Sequence, residues 1–330
     1  MTAAAKKTVL SGVRPTGPAH LGNYVGAFRN WLRLQHEYNC FYSIVTWHAL
    51  TSEYANSKVL KGYVFEVATD LLSLGLDPRT CVLFNQSEVK EHAELHLLLS
   101  MVVPLPWLER VPTFKEQQEE MADKELNTYG FLGYPLLQTA DIVIYKADVV
   151  PVGEDQASHL ELAREIVRRF NRFYGPVFPE PQTLLTEIPK LAGVDGRKMS
   201  KSYGNAIYLK DTAEEIRAKI APMVTDTRRK RRSDPGEPDD CPVFTLHRAF
   251  VDPARRDAIA ADCRSAGIGC LECKQVVIQA IVDLLTPYWA KRAGFEKNPR
   301  AVWDILEDGN ARARAAARRT MAEVREAVGV

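Results

Sequence analysis

Apolar residues in this chain fall into two kinds of run. Thr8-Val9-Leu10, Phe41-Tyr42-Ser43-Ile44-Val45, Cys81-Val82-Leu83-Phe84 and Val149-Val150-Pro151-Val152 are short and nearly continuous, the pattern of strands buried on both faces. Between them apolar positions recur at helical spacing. Tyr24, Phe28, Trp31 and Leu32 mark a helix over about 22–38, and a second over about 57–74 is stopped by Gly75 and Pro78. Strands alternating with helices predict an α/β fold with a parallel sheet covered on both faces. In such a sheet ligands collect beyond the carboxyl ends of the strands, where the strand order reverses.

The pattern changes twice. Over 85–145 it leaves the simple alternation: a helix over 88–101 is broken by Pro104 and Pro106, and the charged run FKEQQEEMADKE follows. This reads as an insertion between the halves of the sheet, and its plainest form is a solvated helical flap. From about Gly204 the chain is helical. Thr212-Ala213-Glu214-Glu215 is a capping box, Pro253–Arg264 and 272–290 are helical, and Asn298-Pro299 opens a long terminal helix. The expected division is a sheet domain over 1–203, an all-helical domain over 204–297, and a terminal helix over 298–330 that packs back on the first domain.

At 330 residues and 46% apolar content the chain can bury a large core. A net charge of +1 excludes a global attraction to polyanions, so any nucleic-acid contact rests on local patches. Arg228-Arg229-Lys230-Arg231-Arg232 is the densest, and Arg312, Arg314, Arg318 and Arg319 lie along the terminal helix. Met1 to Lys7 leads at once into the first strand and no apolar run has the length of a membrane span, which predicts a cytosolic protein. Six cysteines in such a chain argue against a disulfide framework. Cys40 and Cys81 read as core. Cys241, Cys263, Cys270 and Cys273 form C-x21-C-x6-C-x2-C, which fits four ligands to zinc or a [4Fe-4S] cluster, or four small packed residues.

Candidate chemistry begins in the turn after the first strand, within LSGVRPTGPAHLGNYVGAFRN. A helix N-terminus offers unpaired N–H groups, so Gly17 and Gly22 let a triphosphate approach the backbone while His20 and Asn23 add donors. Taken alone, such a turn is more often a plain connection. The second cationic element is Lys198-Met199-Ser200-Lys201-Ser202, preceded by Gly193, Asp195 and Gly196, a loop able to close on phosphates. In PLLQTADIVIY, Gln138, Asp141 and Tyr145 share one helix face. A carboxylate there is either exposed or held by a specific partner, because unpaired burial is too costly. Gly153-Glu154-Asp155-Gln156 follows the next strand and suits a ribose diol and an ammonium; the Glu/Arg pattern after it reads as a solvated face.

HLGN early and KMSKS late resemble the paired signature of class I aminoacyl-tRNA synthetases. The resemblance runs to about residue 205, and GEDQ with PLLQTADIVIY narrows it to the tryptophanyl branch. It implies a Rossmann-type catalytic domain, a homodimer interface in the insertion, and an anticodon-binding role for the helical domain. It also implies activation of L-tryptophan by ATP with Mg²⁺ to tryptophanyl-adenylate and pyrophosphate, followed by transfer to the 3′ end of tRNA(Trp). By position it makes His20, Lys198 and Lys201 catalytic, and gives Arg14, Thr16, Gly22, Asn23, Gly153, Asp155, Met199 and Ser200 to ATP. Asp141 would accept the indole N–H, Tyr134 and Gln156 would hold the amino group, and Gln138 would line the pocket. Arg14 stands where many bacterial members carry Gln, and Gln138 where many carry Met. Some members hold a cluster on cysteines with nearly the same spacing, one residue longer in the first gap. The rival readings are a tyrosyl enzyme and a paralogue that binds tryptophan or RNA without catalysis.

Overall fold

The computed structural model describes residues 6–111, 126–153, 157–185 and 191–330. β1 (Thr8–Val13), β2 (Asn39–Ile44), β3 (Cys81–Asn85), β4 (Val149–Val152) and β5 (Gln182–Leu185) form one parallel sheet in the order β3-β2-β1-β4-β5. The chain works outward from β1 to β3, then returns to lay β4 on the other side of β1. The order therefore reverses between β1 and β4, and a crevice opens beyond their carboxyl ends.

The main helices, in chain order, are α1 (Arg29–Glu37), α2 (Thr46–Glu53), α3 (Leu60–Leu74), α4 (Glu91–Ser100), α5 (Tyr134–Val143), α6 (Ala157–Tyr174), α7 (Ala213–Ile220), α8 (Pro242–Phe250), α9 (Pro253–Arg264), α10 (Cys270–Lys297) and α11 (Pro299–Val328). α1 is reached from the first turn through Leu21–Asn23 and a π-helical turn, Tyr24–Phe28. α3 ends on Gly75, whose φ of +111° only glycine adopts without strain. The box at Thr212 forms, with Glu215 N–H donating to Thr212 Oγ1 and Thr212 N–H to the Glu215 carboxylate. The charged run FKEQQEEMADKE lies outside the described residues.

Successive strand residues feed opposite cores, as the pleat requires. Val9 and Tyr42 face α1, α3, α8 and α10, whereas Leu10, Phe41 and Val150 face α4, α5 and α6. α11 joins the two. Val302 and Leu306 belong to the first core, Ala313, Ala317 and Met321 to the second, and the helix crosses the outer edge of β3 between them. At the crossing Asn310 Oδ1 accepts the Asn85 N–H at 2.8 Å, which covers part of a strand edge that would otherwise stand open. Of the four arginines in this helix's basic patch, three also grip the fold: Arg312 donates to Pro78 O, Arg314 to Glu88 O and Arg318 to Glu91, and further along Arg325 pairs with Glu94.

Gly309 sets how closely α11 lies on β3. A Cβ added there would sit 1.8 Å from the Leu83 carbonyl oxygen, a backbone atom that cannot rotate away. Gly309→Ala is expected to destabilise the protein by at least about 3 kcal/mol, the upper range for overpacking a core. Gly62→Ala is the control, since nothing lies within 4 Å of its added Cβ; helix propensity there favours alanine by about 0.5–1 kcal/mol. Equal denaturation midpoints for the two variants would refute this account of the crossing.

Candidate active site

The crevice between β1 and β4 is a cleft of about 1030 Å³. It gathers Arg14, Thr16, His20, Asn23, Tyr134, Gln138, Asp141, Gly153, Ser200 and Lys201 from segments far apart in sequence. Lys198 and Met199 do not line it. Lys198 is exposed, and Met199 is buried with its N–H on Leu191 O, so Met199 serves as the anchor of its loop. Gly22 also stays off the wall; its role is to leave room for the His20 ring, which an added Cβ would approach to 2.9 Å. Asp155 and Gln156 lie outside the described residues.

The mouth of the cleft is built on a helix cap. His20 is the N-cap residue: its N–H donates to Asn23 Oδ1 at 3.0 Å, and its Nδ1 accepts the Asn23 N–H at 3.3 Å. Accepting at Nδ1 assigns the proton of a neutral ring to Nε2. Burial, then the charge of Lys201, pull His20 down to about 4, so the ring is neutral near pH 7. The preceding turn is possible because Gly17 takes φ +100°.

Lys201 is delivered to that turn by the chain following its own loop. Leu21 N–H donates to Ile207 O and Leu209 N–H to Ala19 O, both at 2.9 Å, so this chain lies antiparallel against the first turn. The Lys201 ammonium then meets Gly17 O at 2.9 Å and Thr16 Oγ1 at 3.3 Å. Asn205, which the sequence reading passed over, braces the loop. It accepts the Ser200 N–H and donates to Lys198 O and Asp195. It fits only because residue 193 is glycine, where a Cβ would come within 2.4 Å of its amide.

At the floor, Asp141 is 3% exposed. It accepts from Gln86 Nε2 at 2.7 and 2.8 Å, His92 Nδ1 at 2.6 Å and His48 Nε2 at 2.9 Å. Behind it, His92 Nε2 meets the Tyr145 hydroxyl at 2.7 Å. Burial alone would raise the carboxyl; the hydrogen bonds and charge of His48 and His92 outweigh it and hold Asp141 well below the usual carboxylate range. The alternative of an exposed Asp141 is excluded. His48, Gln86 and His92 were missed as site residues. Gln86 and His48 follow β3 and β2 at the carboxyl edge of the sheet, the one position where a polar residue after an apolar strand is informative. Tyr134 meets His48 edge to face at 4.2 Å, and Gln138 Oε1 accepts from His159 Nδ1 at 2.7 Å. Arg14 donates to Ser52 Oγ at 2.5 Å, and its buried Nε has no hydrogen-bond partner.

The other four cysteines converge away from the cleft. Cys241, Cys263, Cys270 and Cys273 line one small cavity with Arg229 and Phe244. Burial, then the three neighbouring thiols, push Cys273 up to about 12. Among the described residues, no group of three or more His, Cys, Asp or Glu is spaced to hold a single metal ion. Three arginines of the basic run serve this region: Arg228 pairs with Asp226 and Asp240, Arg229 donates to Ile268 O and Arg232 O, and Arg232 donates to Ala266 O and Gly267 O.

Residues 2–286 match the family model described as tRNA synthetases class I (W and Y). The tryptophan–tRNA ligase of Thermotoga maritima is 49% identical, with 98% of this chain and 99% of that protein covered. That of Ralstonia nicotianae is 43% identical over 98% of each. The solved tryptophanyl-tRNA synthetase of Campylobacter jejuni, complexed with ADP and tryptophan, is 31% identical and superposes with a TM-score of 0.87 over 98% of this chain and 100% of that one.

Proposed function

We propose that this chain, which belongs to the class I tRNA synthetases (W and Y), activates L-tryptophan with ATP and transfers the tryptophanyl group to tRNA(Trp). The observation that carries the reading is one cleft with a fixed anionic acceptor at its floor and a helix N-terminus with a lysine at its mouth. Such a cleft takes an apolar ring bearing one N–H donor at one end and a polyphosphate at the other. Tryptophan is favoured over tyrosine by the full-length relatives, which are tryptophan–tRNA ligases.

In this reading Asp141 accepts the indole N–H. Its oxygens already hold three side chains, which fix its direction and leave the carboxylate ionised to receive one more donor. Tyr134 and Gln138 line the amino-acid side, and by its position in the sequence Gln156 is assigned with Tyr134 to the amino group. His20 through its Nε2–H, Asn23, Thr16, Ser200, Gly153 and Asp155 hold the nucleotide, and Arg14 faces the junction of the two ligands. The tryptophan carboxylate attacks the α-phosphorus, an O–P bond forms, and the bond to pyrophosphate breaks with its electron pair. No side-chain nucleophile is needed; positioning and charge neutralisation by Lys201 perform the step, with Lys198 joining when its loop closes. Mg²⁺ bound with ATP supplies further neutralisation on the phosphate oxygens.

Three finer readings accompany it. The insertion exposes Leu97 at 54%, Met101 at 70% and Leu105 at 54%, an apolar patch suited to pairing two copies of the chain. Work in the cytoplasm is the location that goes with the tryptophan–tRNA ligase reading; separately, no helix among the described residues is long and apolar enough to cross a membrane. The four cysteines line one cavity with Arg229 beside them; as they stand they are not spaced for a single metal ion, so the reading of a [4Fe-4S] cluster or zinc there rests on their convergence alone. Metal analysis and a visible spectrum of anaerobically purified protein separate the two, and absence of both metals removes the site.

The deciding experiment is ATP–pyrophosphate exchange with tryptophan and tyrosine in parallel. Exchange with tryptophan alone is the expected result. Folded protein that binds ATP but exchanges with neither would point to the non-catalytic paralogue.

A further inference from the structure

We propose that Asp70 and Arg292 are a positioning pair that fixes the nucleotide turn, and with it His20 and Lys201, to helix α10. The inference rests on the reading of the cleft mouth as the ATP site.

Ala19, the residue before His20, is tied down at both of its backbone polar groups. Its N–H donates to Asp70 Oδ2 at 2.9 Å, and its carbonyl accepts the Leu209 N–H at 2.9 Å. Both partners are held by α10. The other oxygen of Asp70 accepts the Tyr288 hydroxyl at 2.6 Å and the Arg292 guanidinium, while the Leu209 carbonyl accepts the Trp289 indole N–H at 2.9 Å. Arg292 is itself oriented by Glu66 at 2.7 Å and Glu296 at 2.9 Å. Thus one turn and a half of α10 grips both strands of the bridge that brings Lys201 to Thr16 and Gly17.

Stability alone does not account for this arrangement. Asp70 is 1% exposed and Arg292 5%, and buried ion pairs of this kind are commonly replaced by apolar residues without loss of stability. What an apolar pair would not supply is a directed acceptor for the Ala19 N–H. Asp70 touches no reacting atom in the reading above; it acts through Ala19 and the bridge, with its charge also favouring the ammonium form of Lys201. The Asp141 pocket, built on α2, α4, α5 and the end of β3, shares no residue with the pair.

That separation defines the test. In tryptophan-dependent ATP–pyrophosphate exchange by the full chain, Asp70→Asn keeps an acceptor of the same size but loses the charge, and Arg292→Met removes the fork. Each is expected to raise the KM for ATP by about tenfold, the scale of one charge-assisted hydrogen bond, while the KM for tryptophan changes by less than about twofold. Arg292→Lys is expected to recover part of the loss, and the double variant to be no worse than either single one. Folded variants with an unchanged KM for ATP, or with both KM values raised equally, would overturn the proposal. Where Asp70→Asn does not fold, Arg292→Lys against Arg292→Met carries the same two outcomes. If the wild type itself shows no exchange, it is the assigned function that fails.

Discussion

Asp141→Ala is expected to lower kcat/KM for tryptophan in ATP–pyrophosphate exchange by roughly a thousandfold, with little change in the KM for ATP. The carboxylate is the single acceptor on which Gln86, His92 and His48 converge. Truncation deprives these buried donors of a partner and gives the incoming indole N–H none. The donors left unpaired in the free enzyme lower its stability and cancel from kcat/KM. The expected loss of about 4 kcal/mol is that of the indole N–H, desolvated without its charged acceptor, which exceeds the about 1–3 kcal/mol of a neutral case, together with the lost shape of the pocket. Asp141→Asn does not rescue, because its amide nitrogen turns one acceptor into a donor facing other donors. Part of the cost falls on the folded state, so the denaturation midpoint is measured beside the kinetics. A folded variant with a wild-type KM for tryptophan would show that the ring binds elsewhere.

The second large effect belongs to Lys201. Its burial lowers the ammonium from the ordinary lysine value to about 8, against the opposing pull of Asp70 and Glu66. A lysine lowered in this way is charged below pH 8 and neutral above it, and only the charged form neutralises phosphate. In the free enzyme kcat/KM for ATP is therefore expected to fall as the pH rises through about 8, approaching tenfold per unit. Bound triphosphate favours the ammonium, which places the corresponding limb of kcat at higher pH. Lys201→Arg keeps a cation at every working pH and should flatten the limb. Lys201→Met should lose about a hundredfold at pH 7 and retain no limb. A falling limb that survives in Lys201→Met would assign the titration to another group.

The same residues mark what was legible in the sequence. β1 to β4 announced themselves because strands buried on both faces leave continuous apolar runs, and the cap at Thr212 followed from a local rule. β5 did not, since Gln182-Thr183-Leu184-Leu185 is a short, half-polar edge following a proline-rich stretch. The π-helical turn at Tyr24–Phe28 is a single turn running on into α1, too short for its wider i→i+5 spacing to show in the apolar pattern. In the site, His20, Lys201 and Asp141 stood out as chemistry out of place. Their partners did not: His48, Gln86 and Asn205 are ordinary polar residues until the fold brings them together. The ion pair of Asp70 with Arg292 spans 222 positions, beyond the reach of any local signal. The arginine runs carry contacts that no local pattern announces: Arg229, Arg232 and Arg318 each also donate to the protein's own carbonyls or carboxylates.

The passage of α11 across β3 has a consequence for how the chain comes into being. Synthesis proceeds from the amino end, and the five strands are made long before Gly309 and Asn310. Until those two residues arrive, the Asn85 N–H lacks its partner and the flank of β3 stands as a template for pairing with another nascent chain. The interval between completing the sheet and docking α11 is when a newly made molecule most needs protection from its neighbours, whatever its final stability.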